Sequence, residues 1–330
     1  MIVLLGATGY VGQAFQALLR ERGEKFLALT RHQLDYTQFD KLVAFLRSER
    51  PAFLINAAGY TGKPNVDACE MARADALQGN TLFPLTVSHA CNATDTPWGH
   101  VSSGCIYTGA IVNEGGRQRI EPDLTTSAMR DVVATNPQAI HGFKETDQPN
   151  FSFRSPPCSF YSGTKALGEE ALANDPMAYL WRLRIPFNEV DSPRNYLSKL
   201  QRYPKVYDNV NSVSHLGDFV RACLDLWNLR APFGVYNVTN PGFVTSRQVV
   251  EMIEGILQPA RSFQFWENDA EFYRVAAQTP RSNCVLDPAK LLATGVKMRS
   301  VDEAITDALE NWKPELALAE PKSYVTEEKR

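Results

Sequence analysis

The sequence predicts an α/β fold built on a doubly wound parallel sheet, on two observations. Short apolar runs alternate along the chain with stretches whose apolar residues recur at helical spacing. A turn rich in glycine joins the first apolar run directly to the first helical stretch. Such alternation, without any internal repeat, is typical of parallel strands that helices cover on both faces.

The first strand and its turn lie at the start of the sequence. Residues 1–5 (MIVLL) suit a buried strand, and residues 13–23 (QAFQALLRERG) have helical spacing. The turn between them reads G-x-x-G-x-x-G, not the standard G-x-G-x-x-G fingerprint. Glycines let backbone approach a pyrophosphate, to which a helix N-terminus offers N–H donors and positive potential. We predict a dinucleotide site here; the alternative is a turn that only packs helix on sheet. The residues predicted to bind the cofactor are Gly6, Thr8, Gly9, Tyr10, Val11 and Gly12.

The other elements follow in the same alternating order. Later strands are predicted over residues 26–30, 52–58, 99–103 and 178–186, and helices over 39–50, 74–93, 215–229 and 246–257. The last helix is predicted to have Ser246 as its N-cap.

The alternation loosens after Pro186, which predicts two domains. Residues 1–186 would form a Rossmann-type cofactor domain, joined by part of 205–240, and residues 187–330 a smaller C-terminal substrate domain with a tail. The charged tail after Pro314 is expected to be only partly ordered. A long polar stretch at 108–138 is interpreted either as a lid or as a solvated surface insertion.

Composition excludes several classes of protein. The chain has 330 residues, a formal charge of −3 and 44% hydrophobic residues, which argues against a nucleic-acid partner. No apolar run approaches the roughly 18 residues that span a membrane. The cysteines are scattered without C-x-x-C spacing, which predicts no metal site and reduced thiols in the cytoplasm. They are Cys69, Cys91, Cys105, Cys158, Cys223 and Cys284.

A Tyr-x-x-x-Lys pair is the strongest catalytic signal. Tyr161 and Lys165 are four residues apart at the start of a helical stretch, so both side chains lie on one helix face. A nearby ammonium stabilises phenolate and would lower a tyrosine pKa of about 10 toward neutrality. The pair is therefore predicted to act as a proton donor and its electrostatic partner.

Ser103 is the second catalytic candidate. It ends an apolar strand, and ligands of open α/β sheets bind at the carboxyl ends of the strands. There its hydroxyl could donate to a substrate carbonyl and share a proton with Tyr161. The alternative is a strand-end serine that satisfies only backbone groups.

Cofactor choice depends on the end of the second strand. NAD-selective sites usually place an acidic residue about 20 residues beyond the glycine turn. Here Thr30 and Arg31 come first, and no carboxylate appears before Asp35. A hydroxyl and a guanidinium suit a 2′-phosphate, so NADP(H) is predicted, with NAD(H) left open.

Several blocks of sequence, kept in order, resemble one enzyme family. They are residues 56–70 (NAAGYTGKPNVDACE), 102–109 (SSGCIYTG), 142–151, 159–172, 182–203 and 236–245. With the glycine turn, Ser103 and the Tyr–Lys pair, they resemble extended short-chain dehydrogenase/reductases. The narrower resemblance is to the epimerase/reductase half of plant rhamnose synthases, and more distantly to dTDP-4-dehydrorhamnose reductase and GDP-fucose synthase.

The resemblance implies an enzyme that reduces a nucleotide-linked 4-keto-6-deoxysugar, such as dTDP- or UDP-4-dehydrorhamnose. It implies that Asp35 lies near the adenine and that Asn80 is a buried structural residue. Lys165 would also hold the nicotinamide ribose. Cofactor contacts are further implied for Ala57, Ala58, Gly59 and Ile185, and substrate contacts for Thr61, Asn65, Arg194 and Asn195.

The resemblance also implies a second activity, 3,5-epimerisation. In the similar enzymes a cysteine two residues after the catalytic serine and a lysine in an N-P-R-N-x-x-x-K segment take part. These positions are Cys105 and Lys199 here. The alternative is a buried hydrophobic cysteine and a solvated lysine.

Two other functions and the assembly state stay open. One function is a 4-epimerase or 4,6-dehydratase with bound NAD, although Gly104 and Cys105 stand where a dehydratase would carry Asp-Glu. The other is a non-catalytic regulator that senses NADP, against which the joint presence of Ser103, Tyr161 and Lys165 argues. A homodimer is compatible with the sequence.

Overall fold

The computed structural model describes residues 1–63 and 65–314. The strands are β1 (Ile2–Leu5), β2 (Phe26–Leu29), β3 (Phe53–Asn56), β4 (Trp98–Ser103), β5 (Ala110–Glu114), β6 (Arg117–Glu121), β7 (Ile140–His141), β8 (Ala178–Leu183), β9 (Pro186–Phe187), β10 (Val210–Asn211), β11 (Ser214–His215), β12 (Gly234–Asn237) and β13 (Val244–Thr245). The helices are α1 (Tyr10–Glu21), α2 (Phe39–Glu49), α3 (Ala68–Met71), α4 (Arg73–Leu77), α5 (Phe83–Asn92), α6 (Ser127–Thr135), α7 (Phe160–Ala171), α8 (Tyr196–Arg202), α9 (Leu216–Asn228), α10 (Ser246–Leu257), α11 (Asp269–Val275), α12 (Ala289–Ala293) and α13 (Val301–Glu310).

The central sheet confirms the predicted fold class. It has six strands, all parallel, in the order β12-β8-β4-β3-β1-β2. Helices α1 and α9 bury their apolar faces on one side, and α2 and α5 pack on the other. The strand order reverses at β1, so the switch point between β1 and β3 is where such folds bind ligands.

A second hydrophobic core lies outside this sheet. It is formed by α8, α10 and α13, with Phe187, Leu197, Val249 and Ile305 among its buried side chains. Helix α9 and strand β12 instead pack in the core of the central sheet. We therefore propose to keep the domain boundary at residue 186, with α9 and β12 assigned to the first domain.

The polar stretch at 108–138 is folded. Strands β5 and β6 form a hairpin whose first strand also pairs with β7, and α6 covers it. Its buried residues, including Val112 and Met129, form a cluster with Val210 and Val285 of the C-terminal half. The segment is thus packed against the body of the protein.

Some predicted boundaries were wrong or were missed. Thr245, not Ser246, is the N-cap of α10, because Thr245 and Gln248 form a reciprocal capping box. The helix predicted over 74–93 is interrupted by a π-helical turn at Gln78–Leu82. Strand β12 was not predicted, and the tail after Pro314 lies outside the described residues.

Candidate active site

The glycine turn between β1 and α1 requires its glycines. Gly6 has φ of 73°, and a Cβ on it would lie 2.5 Å from the Ala58 nitrogen. A Cβ on Gly12 would lie 2.2 Å from the Gly6 oxygen. Gly9 caps α1 without a side-chain hydrogen bond, and it and Thr8 are exposed. The result is a close-packed turn whose helix N-terminus offers backbone N–H groups to an anion, as a dinucleotide pyrophosphate requires.

The end of β2 carries the groups predicted to select the cofactor. Arg31 is exposed and makes no ion pair within residues 1–63 and 65–314. Thr30 donates its hydroxyl to Gln33 at 2.9 Å. Asp35 accepts a 2.6 Å hydrogen bond from the Thr37 hydroxyl, which lowers the pKa of the carboxyl. The acidic group is thus held by its own loop, while Arg31 is available for an anionic ligand.

The segment after β3 lies against α7. A Cβ on Gly59 would be 3.4 Å from the Lys165 Nζ and 3.4 Å from the Asn80 Oδ1. Asn80 is buried in the π-helical turn, accepts from the Tyr60 nitrogen at 3.0 Å and donates to the Thr164 hydroxyl at 3.2 Å. Asn80 therefore fixes this segment to the catalytic helix, which supports the structural role predicted for it.

Helix α7 is held at its first turn by two side chains. Ser159 is the N-cap and accepts from the Ser162 nitrogen at 3.2 Å. Glu70, from the NVDACE segment, accepts from the Phe160 nitrogen at 2.7 Å. Glu70 was missed in the sequence because its partner is 90 residues away. These caps place Tyr161 at the carboxyl edge of the sheet.

The structure brings Tyr161 together with Ser103. The pKa of Tyr161 is raised well above 10, chiefly by burial; the neighbouring Cys105 adds to the rise and a hydrogen bond to Ser103 opposes it. Lys165 is buried, which lowers its pKa, while Cys105 and Glu169 favour its ammonium form. The predicted lowering of the Tyr161 pKa was wrong, because burial of the phenol raises it instead.

Cys105 lies beside Ser103, and Lys199 lies on α8 near Arg194. The Cys105 Sγ is 2.7 Å from the Ser103 Oγ. Lys199 is half-buried on α8, and burial followed by the charge of Arg194 lowers the pKa of its ammonium. Within the described parts of the chain that ammonium has no hydrogen-bond or ion-pair partner. The two predicted epimerase residues therefore lie in different surroundings.

Two predicted substrate residues, Arg194 and Thr61, are joined by a hydrogen bond although 133 residues separate them. Arg194 donates through Nη1 to the Thr61 hydroxyl at 2.9 Å. Asn65 is exposed, and its Oδ1 accepts from the Asp67 nitrogen at 2.8 Å. Asp67 in turn binds the Arg281 guanidinium through both carboxylate oxygens, at 2.6 and 2.7 Å.

Asn195 has a different role from the one predicted. Its side chain is 0% exposed. It caps α8 by accepting from the Leu197 nitrogen at 3.0 Å, and it donates to Asn188 and to the Val190 oxygen, both at 2.7 Å. Because its donors and acceptor are engaged inside the protein, Asn195 is a positioning residue and not a substrate contact.

Tyr10 contacts the segment after β9, and Ile185 has an unusual backbone conformation. Tyr10 donates its phenol to Asn188 Oδ1 at 2.9 Å, a partner that sequence reasoning missed. Ile185 follows β8 with φ of 36°, a conformation that is strained for a β-branched residue. Such strain is typical of functional sites, and it ends the strand predicted over 178–186 at Leu183.

No group of three or more His, Cys, Asp or Glu side chains is arranged to hold a metal ion in the part of the chain described. No helix between residues 1 and 314, Pro64 excepted, is long and apolar enough to cross a membrane.

Comparison with known proteins finds one matching family model and several similar enzymes. The family model for the RmlD substrate binding domain matches residues 1–313. A trifunctional UDP-glucose 4,6-dehydratase/3,5-epimerase/UDP-4-keto-L-rhamnose-reductase of Arabidopsis thaliana is 30% identical over 92% of this chain and 41% of the plant protein. A bifunctional dTDP-4-dehydrorhamnose 3,5-epimerase/reductase of the same plant is 29% identical over 92% of this chain and 90% of that protein. The chain thus spans about two fifths of the trifunctional relatives.

Solved structures share the fold. The L780 UDP-rhamnose synthase from Acanthamoeba polyphaga mimivirus has a TM-score of 0.77 at 20% identity, covering 94% of this chain and 98% of that one. A dTDP-4-dehydrorhamnose reductase from Bacillus anthracis, in complex with NADP, has a TM-score of 0.72 at 17% identity, covering 94% and 97%. Because one family model extends over nearly the whole described chain, the protein belongs to the family of the RmlD substrate binding domain.

Proposed function

We propose that the protein is an NADPH-dependent reductase of a nucleotide-linked 4-keto-6-deoxysugar. The observation that supports the proposal is the hydrogen bond between Tyr161 and Ser103, with Lys165 one turn along α7 and against Gly59. The segment before Gly59 packs on the glycine turn. The names of the plant relatives, which include 4-keto-rhamnose reductases, supply the substrate class. The nucleotide, UDP or dTDP, is left to experiment.

Each residue of the site has a definite task in this reaction. NADPH, when bound, supplies the hydride for C4 of the sugar. Ser103 donates a hydrogen bond to the carbonyl oxygen, and Tyr161 delivers its proton to the same oxygen as charge develops there. Lys165 holds the nicotinamide ribose from its place beside Gly59. Arg194, held by Thr61, faces the charged nucleotide end of the substrate.

The choice of NADPH over NADH rests on Arg31. Its guanidinium is exposed at the end of β2, and Asp35 is occupied by Thr37. A free guanidinium suits a 2′-phosphate, whereas a free carboxylate would suit ribose hydroxyls. NAD(H) is the second candidate.

The test is an assay of NADPH consumption with purified protein. UDP- and dTDP-linked 4-keto-6-deoxysugars should each be offered, and mass spectrometry should find the 4-hydroxy product of at least one. Tyr161→Phe is the matched control, because it lacks only the proton donor. If NADPH is bound but neither ketosugar is reduced, the reductase proposal fails.

We propose 3,5-epimerisation as a second activity, because Cys105 touches Ser103 beside Tyr161. Epimerisation needs a base and an acid on opposite faces of the sugar ring. Cys105 is proposed for one face and Lys199 for the other. Substrate incubated in deuterated water should gain label at C3 and C5, and Cys105→Ser should abolish the label while an epimerised ketone is still reduced. A wild-type protein that reduces the ketone without gaining label would leave a plain 4-ketoreductase.

Two other functions are weighed against these. A 4-epimerase or 4,6-dehydratase would retain its NAD and consume no NADPH, and a regulator would bind NADP without turnover. The assay above separates both from a reductase. We also propose a cytoplasmic location, which the free thiols of all six cysteines support. A homodimer is proposed from sequence alone, and gel filtration tests it.

A further inference from the structure

Glu169 lies on the same face of α7 as the two catalytic residues. It follows Lys165 by four residues and Tyr161 by eight, so the three side chains form one row along the helix. Glu169 is buried, and its carboxylate accepts hydrogen bonds from two strands. Arg182 of β8 donates through Nη2 at 2.7 Å and through Nε at 3.0 Å, and Ser102 of β4 donates at 2.5 Å.

The two donors to Glu169 are direct neighbours in the sheet. Ser102 pairs with Arg182 in the β4–β8 ladder, one residue before the pair of Ser103 and Leu183. One carboxylate therefore ties α7 to both strands at the level just below the catalytic serine. Because a helix rises about 1.5 Å per residue, Tyr161 lies about 12 Å further along α7, at the edge of the sheet. Any slide or rotation of α7 at Glu169 would move the Tyr161 phenol relative to Ser103.

The surroundings of Arg182 show that the pair is built into the core. Its guanidinium is buried and also donates to the Tyr107 hydroxyl at 3.1 Å and to the Asn237 Oδ1 at 3.4 Å. Asn237 belongs to β12, so the network connects α7 with three neighbouring strands. By contrast, Glu170, the next residue on α7, makes an exposed pair with Arg154. The helix thus carries one buried and one exposed carboxylate side by side.

We propose that Glu169, paired with Arg182, is a positioning residue of the reductase: it fixes the height and rotation of α7 under Tyr161 and Lys165. The inference rests on the proposed function. Glu169 also contributes a negative charge that favours the ammonium form of the buried Lys165. The other titratable groups that act with Lys165 are Cys105 beside it and His100 on β4, whose pKa is lowered by burial and by the Lys165 charge.

The experiment compares three variants. Glu169→Gln removes the charge at constant shape, and Glu169→Leu with Arg182→Met replaces the whole pair with apolar groups, which such cores tolerate. Glu170→Gln is the matched control on the exposed face of the same helix. The measurements are thermal unfolding, NADPH affinity as a function of pH, and kcat with the ketosugar.

The double variant should stay folded, at a lower unfolding temperature because the Ser102 hydroxyl and the Asn237 Oδ1 lose their partners. It should also lose about a hundred-fold in kcat, as expected when a proton donor is misplaced by about 1 Å. In Glu169→Gln the NADPH affinity should begin to fall at a lower pH than in the wild type, because Lys165 loses its proton more readily without the Glu169 charge. Glu170→Gln should change neither kcat nor the pH profile. A folded double variant with wild-type kcat, or a folded Glu169→Gln variant with the wild-type pH profile, would overturn the inference. The NADPH titration needs no sugar, so a failed reductase assay would contradict the proposed function without deciding the role of Glu169.

Discussion

At the scale of single residues, the pKa of the Tyr161 phenol sets its protonation state at neutral pH. Burial raises this pKa and Cys105 adds to the rise, while Ser103 opposes both. A tyrosine with a raised pKa stays protonated at neutral pH, which is the form that donates to a developing alkoxide. The protonated phenol is the form that the proposed ketone reduction requires.

Tyr161→Phe should remove the proton donor and leave the fold and the glycine turn intact. Loss of a general acid typically costs about two to four decades in rate. We expect kcat to fall by that amount in the ketosugar assay while the Kd for NADPH, measured by fluorescence titration, changes little. Lys165→Met should weaken NADPH binding as well, because Lys165 lies beside the cofactor segment at Gly59. A Phe variant that kept most of its turnover would contradict the role of Tyr161.

Arg31→Asp should invert the cofactor preference. The change replaces an exposed cation at the end of β2 with a carboxylate that accepts ribose hydroxyls and repels a 2′-phosphate. The ratio of kcat/KM for NADPH to that for NADH should fall from above one to below one. Arg47→Asp, an exposed change on α2, is the control and should leave the ratio unchanged. A wild-type protein that prefers NADH would contradict the prediction that Arg31 selects NADPH.

At the scale of elements, the site depends on how tightly α1 is packed against the glycine turn. The backbone of Gly12 lies so close to Gly6 that a side chain has no room. The same compactness aims the N-terminus of α1 at the carboxyl edge between β1 and β3. The close packing of α1 on the glycine turn therefore also orients its N-terminal N–H groups for binding an anion.

Gly12→Ala should damage both stability and cofactor binding. The new Cβ would lie 2.2 Å from the Gly6 oxygen and 2.9 Å from the Ala7 Cα, which are backbone atoms that cannot rotate away. We expect a loss of about 1–3 kcal/mol in the free energy of unfolding, with weaker NADPH binding. Gly255→Ala in α10 is the matched control, because its Cβ meets no atom within 4 Å. That change should be neutral or stabilise by up to about 1 kcal/mol, through helix propensity. Equal effects of the two substitutions would contradict the crowding argument.

At the scale of the whole molecule, the two hydrophobic cores are connected by charged groups. Glu189 follows β9, and its carboxylate lies 3.6 Å from the His215 ring, the N-cap of α9. Asp218 in the first turn of α9 binds Arg299, which precedes α13. These contacts lie between the core of the central sheet and the core formed by α8, α10 and α13. Because they involve carboxylates, the stability of the folded protein should depend on pH.

Acid should destabilise the protein partly through Glu189. The neighbouring His215 ring is the main cause that lowers the pKa of Glu189 from 4.5 to about 2. A carboxyl whose pKa is depressed by folding stabilises the native state above its unfolded pKa, and this contribution is lost as pH falls through the folded value. Urea unfolding should therefore show stability decreasing between about pH 4.5 and pH 2. Glu189→Gln should be less stable at neutral pH and lose less over this window, whereas Glu254→Gln on the exposed face of α10 should follow the wild type. If the stability of Glu189→Gln fell with pH as steeply as that of the wild type, the acid sensitivity would come from other groups.

The sequence by itself determined the elements and much of the reaction chemistry. Alternating apolar runs predicted the parallel sheet, since strand and helix periodicity are local properties. The glycine turn and the Tyr161–Lys165 pair could be predicted for the same reason, because each motif is defined by residues that lie close together in the sequence. Even there, one local signal misled, because Thr245 and Ser246 are both good caps and only the spacing to Gln248 separates them.

Only the tertiary structure decided which distant groups meet. Tyr10 binds Asn188 across 178 residues, and Arg281 binds Asp67 across 214. The burial of Asn195 and the meeting of Glu169 with Arg182 and Ser102 likewise depend on how helices pack on strands. Burial also reversed the predicted pKa of Tyr161, because desolvation depends on every atom around a group and not on its neighbours in sequence. Residue types and their spacing therefore predict which reaction the site supports, and the packing of the whole chain determines the geometry and the electrostatics of that site.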